Sequence, residues 1–174
     1  MQKIPQKIQS LLDSKNGEVI RLDLGCGQDK QPGFISLDTS NLPGVDIVHN
    51  IEKYPYPLPD NFVTLVKAGH VVEKINPINQ GFIKFMNEIW RILKYDGQFL
   101  ISTYYAGSAG YWGDPTNING CTQHTWFYFD PLTPSGLYKK YKPKPWKIDK
   151  SYANPDGIME VLLIKRREDV SYLK

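Results

Sequence analysis

The strongest signal of the fold lies at residues 22–27, which read Leu22-Asp23-Leu24-Gly25-Cys26-Gly27. An apolar strand runs here into two glycines that one residue separates. Glycines at such a place let the backbone turn sharply and let a ligand lie against main-chain N–H groups. In open α/β sheets, ligands bind beyond the carboxyl ends of the strands. The dinucleotide fingerprint would need a third glycine where Lys30 stands, which argues against a nicotinamide or flavin domain.

Five apolar segments predict the strands of a sheet. The segment 19–24 is nearly continuous in apolar residues, as in a parallel strand that is buried on both faces. Comparable segments, rich in β-branched and aromatic residues, follow at 34–37, 45–51, 62–68 and 98–105. They indicate that the first two thirds of the chain build a mostly parallel sheet.

One long helix is predicted between the fourth and fifth strands. Asn76 can cap its start, and Pro77 suits the first helical position. Gly97 follows the last turn, where a left-handed residue often closes a helix. The buried stripe of this helix consists of apolar residues at helical spacing, namely Ile78, Phe82, Phe85, Ile89, Ile92 and Leu93.

The two ends of the chain carry a short helix and a hairpin. Helical spacing at the amino-terminal end, before the stop signal Asn16-Gly17, is shown by Ile4, Ile8, Leu11 and Leu12. Near the other end, the turn signal Asn154-Pro155-Asp156-Gly157 separates the apolar segments 146–152 and 157–165 and predicts an antiparallel hairpin. The stretch 106–144 between sheet and hairpin is too long for a simple connector, and such loops usually form lids or binding loops.

Size and composition indicate one globular domain that spans residues 1–174. The net charge of +3 comes from scattered Lys and Arg residues, and the basic run 165–167 is interpreted as a solvated edge. Two cysteines, Cys26 and Cys121, cannot form a zinc site or a disulfide framework, so no metal and a reduced, cytoplasmic setting are expected. The polar amino terminus does not resemble a signal peptide, and no apolar run is long enough to span a membrane.

Asp38, at the end of the second predicted strand, is the second chemical signal. A carboxylate at this place can accept hydrogen bonds from both hydroxyl groups of a ribose. The alternative is that Asp38 only starts the turn Asp38-Thr39-Ser40. The glycine loop just upstream favours the binding role.

On the basis of these residues, the chain resembles class I S-adenosylmethionine (SAM)-dependent methyltransferases. The resemblance is carried by LDLGCG at 22–27, ISLD at 35–38, VDIVHNIEKYPYPLPDNF at 45–62, AGHVVEKI at 68–75 and FMNEIWRILKYDGQFLIST at 85–103. The resemblance covers residues 19–105 well. Asp114-Pro115-Thr116 resembles the tripeptide that a subgroup of short, type 11-like methyltransferase-like proteins carries in the loop after the fifth strand. The resemblance implies an α/β, Rossmann-like, mostly parallel sheet with an antiparallel C-terminal hairpin.

The resemblance also implies a cofactor site for SAM. The first motif, which holds the amino-acid end of the cofactor, matches Asp23, Gly25, Cys26 and Gly27. Asp38 matches the acid that binds the ribose. Asn50 and Ile51 match the pair beside the adenine, and Asn50 replaces a more usual Asp. Gly69 matches the end of the fourth strand, beside the methyl group.

The implied activity is methyl transfer to an acceptor that the sequence does not identify, and the expected acceptor class is a small molecule or a glycan. His70 and His124 are the candidate bases, and Asp114 is a candidate for positioning the acceptor. The alternative for His70 is a half-buried structural histidine. The aromatic residues between 104 and 129 either position the acceptor or simply fill the end of the sheet.

The chain also departs from the family pattern. The connections 28–33, 39–44 and 52–61 are too short for the usual helices, so several helices are expected to be reduced to loops. Lys74 and Asn117 stand where histidines are common. These departures support an alternative function, a non-catalytic, methyltransferase-like binding or accessory protein.

A nucleic-acid acceptor is disfavoured by the sequence. Neither Asn-Pro-Pro-Tyr nor Asp-Pro-Pro-Tyr, the motifs with which such methyltransferases hold an extruded base, occurs in the chain. The oligomeric state leaves no signal in the sequence.

Overall fold

The computed structural model describes residues 6–14 and 19–168. Seven strands form one sheet in the order β3-β2-β1-β4-β5-β7-β6. Strands β1 to β5 are parallel to one another, whereas β7 pairs antiparallel with both β5 and β6. The strands are β1 (Arg21–Leu24), β2 (Ile35–Asp38), β3 (Ile47–Val48), β4 (Val63–Gly69), β5 (Leu93–Tyr104), β6 (Trp146–Ala153) and β7 (Ile158–Lys165). The predicted fold class and the C-terminal hairpin are confirmed.

Four α-helices and three 3-10 helices accompany the sheet in the described part of the chain. They are α1 (Gln6–Ser14), α2 (Gly81–Ile92), α3 (Ala109–Gly113) and α4 (Tyr138–Tyr141), with 3-10 helices at Val72–Lys74, Ile78–Gln80 and Gln123–Tyr128. Ile8 and Leu12 of α1 are buried, as their spacing predicts. Ile4 and the stop signal Asn16-Gly17 lie outside the described residues. Within the described ranges, no helix has the length and apolar character needed to cross a membrane.

The core lies between one face of the sheet and α2. Neighbouring strands align Leu22, Val66 and Phe99 across this face, and all three side chains are fully buried. Phe85 of α2 packs on Phe99 with ring centroids 6.2 Å apart. Strand β4, helix α2 and strand β5 therefore form the right-handed crossover that a parallel pair requires.

Helix α2 begins five residues later than Asn76, so the predicted start is wrong. The Asn76 side chain instead accepts a hydrogen bond from the N–H of Ile78 at 2.9 Å, just before the 3-10 helix Ile78–Gln80. Asn79 and Gln80 then adopt left-handed backbone conformations, with φ of 53° and 61°. The helix starts only at Gly81, where a Cβ atom would lie 2.0 Å from the carbonyl oxygen of Asn76.

The end of α2 also differs from the prediction. Gly97 does not close the helix, because β5 begins directly after Ile92 and already contains Gly97. The left-handed residue is Asp96, with a φ of 62°. Pairing with β4 is interrupted between Leu93 and Gln98, so the intervening residues bulge out of the ladder.

The three shortened connections form loops, as predicted. Every residue of 25–34, 39–46 and 49–62 is described, and none of them is helical. The first two connections are tied together by Asp46, which accepts hydrogen bonds from the Lys30 ammonium at 3.0 Å and from the Ser36 N–H at 2.9 Å. Burial raises the pKa of Asp46, but these hydrogen bonds outweigh burial and hold the pKa below its ordinary value.

Arg91 of α2 ties down the third connection. Its guanidinium donates to the carbonyl oxygens of Leu58 at 3.0 Å and Tyr56 at 3.2 Å. It also pairs with the carboxylates of Asp60 and Glu88. One planar fork thus satisfies four acceptors and attaches the proline-rich loop to the helix.

The basic run at 165–167 is not a solvated edge, so that interpretation is wrong for its first two residues. Lys165 is only 1% exposed, because its ammonium donates to Asn61 at 2.7 Å and lies 3.7 Å above the ring of Trp90. Arg166 pairs with the buried carboxylate of Asp130. Burial lowers the pKa of Lys165 to about 8.

Replacing Arg91 with Lys tests the attachment of the third connection. The variant keeps the charge but cannot reach both carbonyl oxygens and both carboxylates, so we expect the free energy of unfolding to fall by about 2–4 kcal/mol. Urea unfolding measures this change. Arg21→Lys, on an exposed side chain, is the control and should differ from wild type by less than about 0.5 kcal/mol. Equal stability of Arg91→Lys and wild type would contradict the role of Arg91.

Lys165 predicts an unusual pH dependence of stability. The folded protein loses the Lys165 proton near pH 8, whereas the unfolded chain keeps it up to the ordinary lysine value of 10.5. The unfolded state therefore binds more protons in this window, and stability must rise with pH. Relative to Lys165→Met, the wild type should gain about 2–3 kcal/mol between pH 7.5 and pH 10.5. A constant difference measured by chemical unfolding across these pH values would exclude this behaviour.

Candidate functional site

The loop after β1 folds back over the carboxyl end of β2. Gly25 and Gly27 both have positive φ values, 66° and 56°, which favour glycine over other residues. The N–H of Gly25 donates to the carbonyl oxygen of Leu37 at 2.8 Å. Both glycines of the motif therefore stand in a turn whose backbone would be strained in a residue other than glycine.

Asp38 holds this loop with its side chain. Its Oδ2 atom accepts a hydrogen bond from the N–H of Gly27 at 2.9 Å, and its Oδ1 atom accepts one from the N–H of Ser40 at 2.8 Å. The contact with Ser40 is the one that a turn starting at Asp38 would make. Because each carboxylate oxygen has two lone pairs, both oxygens can still accept a hydroxyl group.

The two glycines of the loop differ in the space around them. A Cβ atom on Gly25 would lie 2.5 Å from Cγ2 of Val71, so Gly25 is needed for packing as well as for its φ. A Cβ atom on Gly27 or on Gly69 would meet nothing within 4 Å. Open space therefore lies beside the backbone of both residues, at the carboxyl ends of β1 and β4.

Asp23 places a buried carboxylate just before this loop. The residue is 5% exposed, and among the described residues no donor forms a hydrogen bond with its side chain. Burial raises the pKa of Asp23, against the opposing charge of Lys67. Burial also raises the pKa of the Cys26 thiol, with smaller contributions from the charges of Asp38 and Asp23. Two carboxylates thus flank the glycine loop and favour a cationic ligand.

Asn50 and Ile51 lie just after β3. The side-chain oxygen of Asn50 accepts a hydrogen bond from the N–H of Glu52 at 2.8 Å, which leaves its amide N–H groups exposed. Ile51 is half-buried and packs against the core. An apolar side chain next to an exposed amide can accommodate a flat ring with polar edges, such as adenine.

His70 follows Gly69 and has a left-handed backbone, with a φ of 55°. Its N–H donates to the carbonyl oxygen of Ser102 at 2.8 Å. Its Nδ1 atom lies 3.0 Å from Oε1 of Glu73. The ring also contacts Tyr104, with centroids 4.7 Å apart, while 47% of the side chain stays exposed.

Glu73 is a residue that the sequence analysis missed. It is fully buried, and its Oε2 atom accepts a hydrogen bond from the hydroxyl of Thr103 at 2.7 Å. A charged residue is almost never fully buried without partners, so this carboxylate has a specific role. The spacing of His70 and Glu73, three residues apart, was the signal available in the sequence.

Asp114 contacts Lys74 and not His70. Its Oδ2 atom lies 2.8 Å from the Lys74 ammonium, which also donates to Thr116 and, at 3.1 Å, to Asn117. Hydrogen bonds from Lys74 and Thr116 hold the pKa of Asp114 below its ordinary range. The two unusual residues Lys74 and Asn117 therefore contact each other, and Asp114 fixes a loop.

His124 lies apart from the glycine loop. Its exposed ring contacts Phe127, and in the described chain no hydrogen bond or ring contact joins it to His70. Among the aromatic residues, Trp126 and Phe129 pack on Phe82 in the core. Trp112 is 76% exposed, and its indole N–H is held by the carbonyl oxygen of Ala106 at 3.0 Å. The aromatic segment thus supplies both core and surface.

No protein-family model and no curated protein sequence matches the chain. Solved protein structures do match the chain. A SAM-dependent methyltransferase from Archaeoglobus fulgidus has a TM-score of 0.61 at 14% identity, over 91% of each chain. The chain has the class I methyltransferase fold. Identities this low show the fold alone.

Two further structures with this methyltransferase fold come from proteins with a known nucleic-acid substrate or protein partner. The 16S rRNA (adenine(1408)-N(1))-methyltransferase from Catenulisporales acidiphilia, solved with SAM as cosubstrate, has a TM-score of 0.58 at 11% identity, over 93% of this chain and 92% of that one. A Haloferax volcanii methyltransferase in complex with the Trm112 activator has a TM-score of 0.59 at 13% identity, over 94% and 90%.

Gly69→Val tests whether the open space beside β4 is a ligand site. The backbone at Gly69 is not left-handed and its Cβ position is free, so the variant should fold with a melting temperature close to wild type. Its side chain would occupy the space beside the glycine loop, and we expect at least a tenfold weaker affinity for SAM by calorimetry. Gly113→Val, at another position with free space, should bind like wild type. Unchanged affinity in Gly69→Val would place the ligand elsewhere.

Proposed function

We propose that the chain binds SAM at the carboxyl ends of β1, β2 and β4 and transfers its methyl group to a small-molecule or glycan acceptor. The observation that carries this proposal is the glycine loop held by Asp38, with free space beside Gly27 and Gly69. The fold is that of SAM-dependent methyltransferases, and the local geometry leaves room where their motifs match.

The residues present fit the cofactor. Asp38 would accept hydrogen bonds from the ribose hydroxyl groups, and Asn50 and Ile51 would flank the adenine. Asp23, buried and without a hydrogen-bond donor among the described residues, would face the amino-acid end of the cofactor. Gly25, Cys26 and Gly27 would supply the backbone surface against which it lies. When bound, SAM supplies an electrophilic methyl group on a positively charged sulfur, which the carboxylates of Asp23 and Asp38 favour electrostatically.

The acceptor would bind near His70, Tyr104 and Trp112, where β4 and β5 end. Most of the catalysis of methyl transfer can come from holding acceptor and donor in line, which supplies roughly 7–11 kcal/mol in well-built cases. His70 is the candidate base. Asp114 and His124 would support the acceptor site and not act as the base. Asp114 fixes the loop that follows α3, and His124 lies farther along the same segment.

A small acceptor is favoured over a nucleic acid. One of the structures with this fold acts on rRNA, but two cations of the basic run here, Lys165 and Arg166, are engaged inside the protein. Binding to a phosphate backbone depends on Lys and Arg side chains that are free to contact it, and these two are not. Both cysteines are free thiols, and we propose a cytoplasmic location for the protein on that basis.

Calorimetric titration with SAM tests the proposed function. We expect wild-type protein to bind in the micromolar range and Asp38→Ala to bind at least a hundredfold more weakly, because the variant loses both the ribose acceptor and the support of the loop. Asp29→Ala, an exposed carboxylate two residues beyond Gly27, is the matched control and should bind normally.

Two outcomes separate the candidate functions. Binding followed by methylation of a compound from a metabolite or glycan mixture supports the enzyme. Binding without any methylated product would favour the accessory protein, and no binding by the wild type would contradict both roles of the site.

A further inference from the structure

The His70 ring is held in one orientation by two half-buried residues of strand β5. Its left-handed backbone is fixed by the hydrogen bond of its N–H to Ser102 on β5. A non-glycine residue rarely adopts this conformation unless the surroundings impose it. The ring then rests against Tyr104, also on β5. Both contacts come from the strand that neighbours β4, so His70 cannot turn freely.

Glu73 determines which nitrogen of His70 carries the proton. A carboxylate that carries no proton accepts hydrogen bonds and donates none, so its contact of 3.0 Å from Oε1 to Nδ1 assigns the hydrogen to Nδ1. The other oxygen of Glu73 is fixed by the Thr103 hydroxyl at 2.7 Å. The Nε2 atom of a neutral His70 is then an unprotonated acceptor on the exposed side of the ring.

The surroundings of Glu73 keep this arrangement rigid. Its main-chain carbonyl oxygen accepts hydrogen bonds from the N–H groups of Ile118 at 2.8 Å and Asn119 at 2.9 Å. The buried thiol of Cys121 lies nearby, and burial together with the charge of Glu73 raises its pKa to about 12. This keeps the Cys121 thiol protonated at neutral pH, whereas His70 follows Gly69, beside the free space there, with 47% of its side chain exposed.

We propose that the acceptor is a neutral hydroxyl group, that Nε2 of His70 takes its proton, and that Glu73 is the positioning residue that holds His70 in this tautomer. The inference rests on the proposed function. The acceptor oxygen forms its bond to the methyl carbon as the carbon–sulfur bond breaks. The electron pair of that bond stays on sulfur, and the hydroxyl proton passes to Nε2. The products are a methyl ether, a neutral thioether and an imidazolium.

The charges near His70 favour a hydroxyl over other acceptors. A carboxylate acceptor has no proton to lose and would not need an oriented base. An ammonium acceptor would need a carboxylate to bind it, but Glu73 is buried with both oxygens used and Asp114 is paired with Lys74. A hydroxyl group holds its proton tightly, so a positioned base contributes on the order of 10²–10⁴ to its rate.

The first test needs no cofactor. Long-range proton–nitrogen NMR spectra at pH 8 report which imidazole nitrogen carries hydrogen, and His70→Asn assigns the signal among the three histidines. We expect the Nδ1–H form for His70 in the wild type and a larger share of the Nε2–H form in Glu73→Gln. His49 and His124 should not change. An Nε2–H form in the wild type would overturn the role of Glu73.

The second test measures the acceptor class with phenol, aniline, thiophenol and benzoate as probes, with SAM as donor and mass-spectrometric detection. We expect phenol to be methylated in preference to the other three. His70→Asn should lower kcat by roughly 10²–10⁴-fold and Glu73→Gln by at least tenfold, with the Kd for SAM unchanged. Glu168→Gln, which alters an exposed carboxylate paired with Lys144, is the matched control and should keep the wild-type kcat.

The outcomes distinguish this inference from the proposed function. Failure of SAM to bind would contradict the proposed function, whereas the NMR result would still report on Glu73. Preferred methylation of aniline, thiophenol or benzoate would overturn the hydroxyl assignment, and so would binding of SAM with no methylation of any probe. If kcat is unchanged in Glu73→Gln, Glu73 has a structural role and does not position His70 for catalysis.

Discussion

The hydrogen bond from the Gly27 N–H to the Asp38 carboxylate, 2.9 Å long, connects the two halves of the proposed cofactor site. It joins the turn after β1 to the end of β2, and both segments lie at the same edge of the sheet because the strands are parallel. Asp38 therefore shapes the loop, and in the proposed function the same side chain also faces the ligand. This double use explains why a single carboxylate can satisfy both interpretations of the sequence, the turn and the binding group.

The remaining architecture compensates for helices that the family pattern would place between β1, β2, β3 and β4. Asp46 and Lys30 tie the first two connections together, and Arg91 ties the third to α2. These polar contacts add to the apolar anchors of the third connection, Tyr56 and Leu58, which lie in the core. The segment after β5 is partly core, as the buried Trp126 shows, and partly surface, as the exposed Trp112 shows.

Some of this structure could be predicted because its signals are local. A buried strand followed by Gly25 and Gly27, and an Asp at the end of the next strand, are fixed by residue types within a few positions. Glu73 could not be recognised as buried, since its partner Thr103 is 30 residues away on β5. Lys165 looked solvated for the same reason, because Asn61 and Trp90 reach it from other elements. The start of α2 was misplaced because nothing in the residue type requires Gln80 to be left-handed.

The most direct test of the central claim is a crystal structure of the protein with bound SAM. The account predicts that the ribose hydroxyl groups contact the Asp38 carboxylate, that the amino-acid end lies along residues 25–27, and that the methyl group points to the side of the cleft where His70 lies. A cofactor bound away from Asp38, or a methyl group facing away from His70, would contradict it.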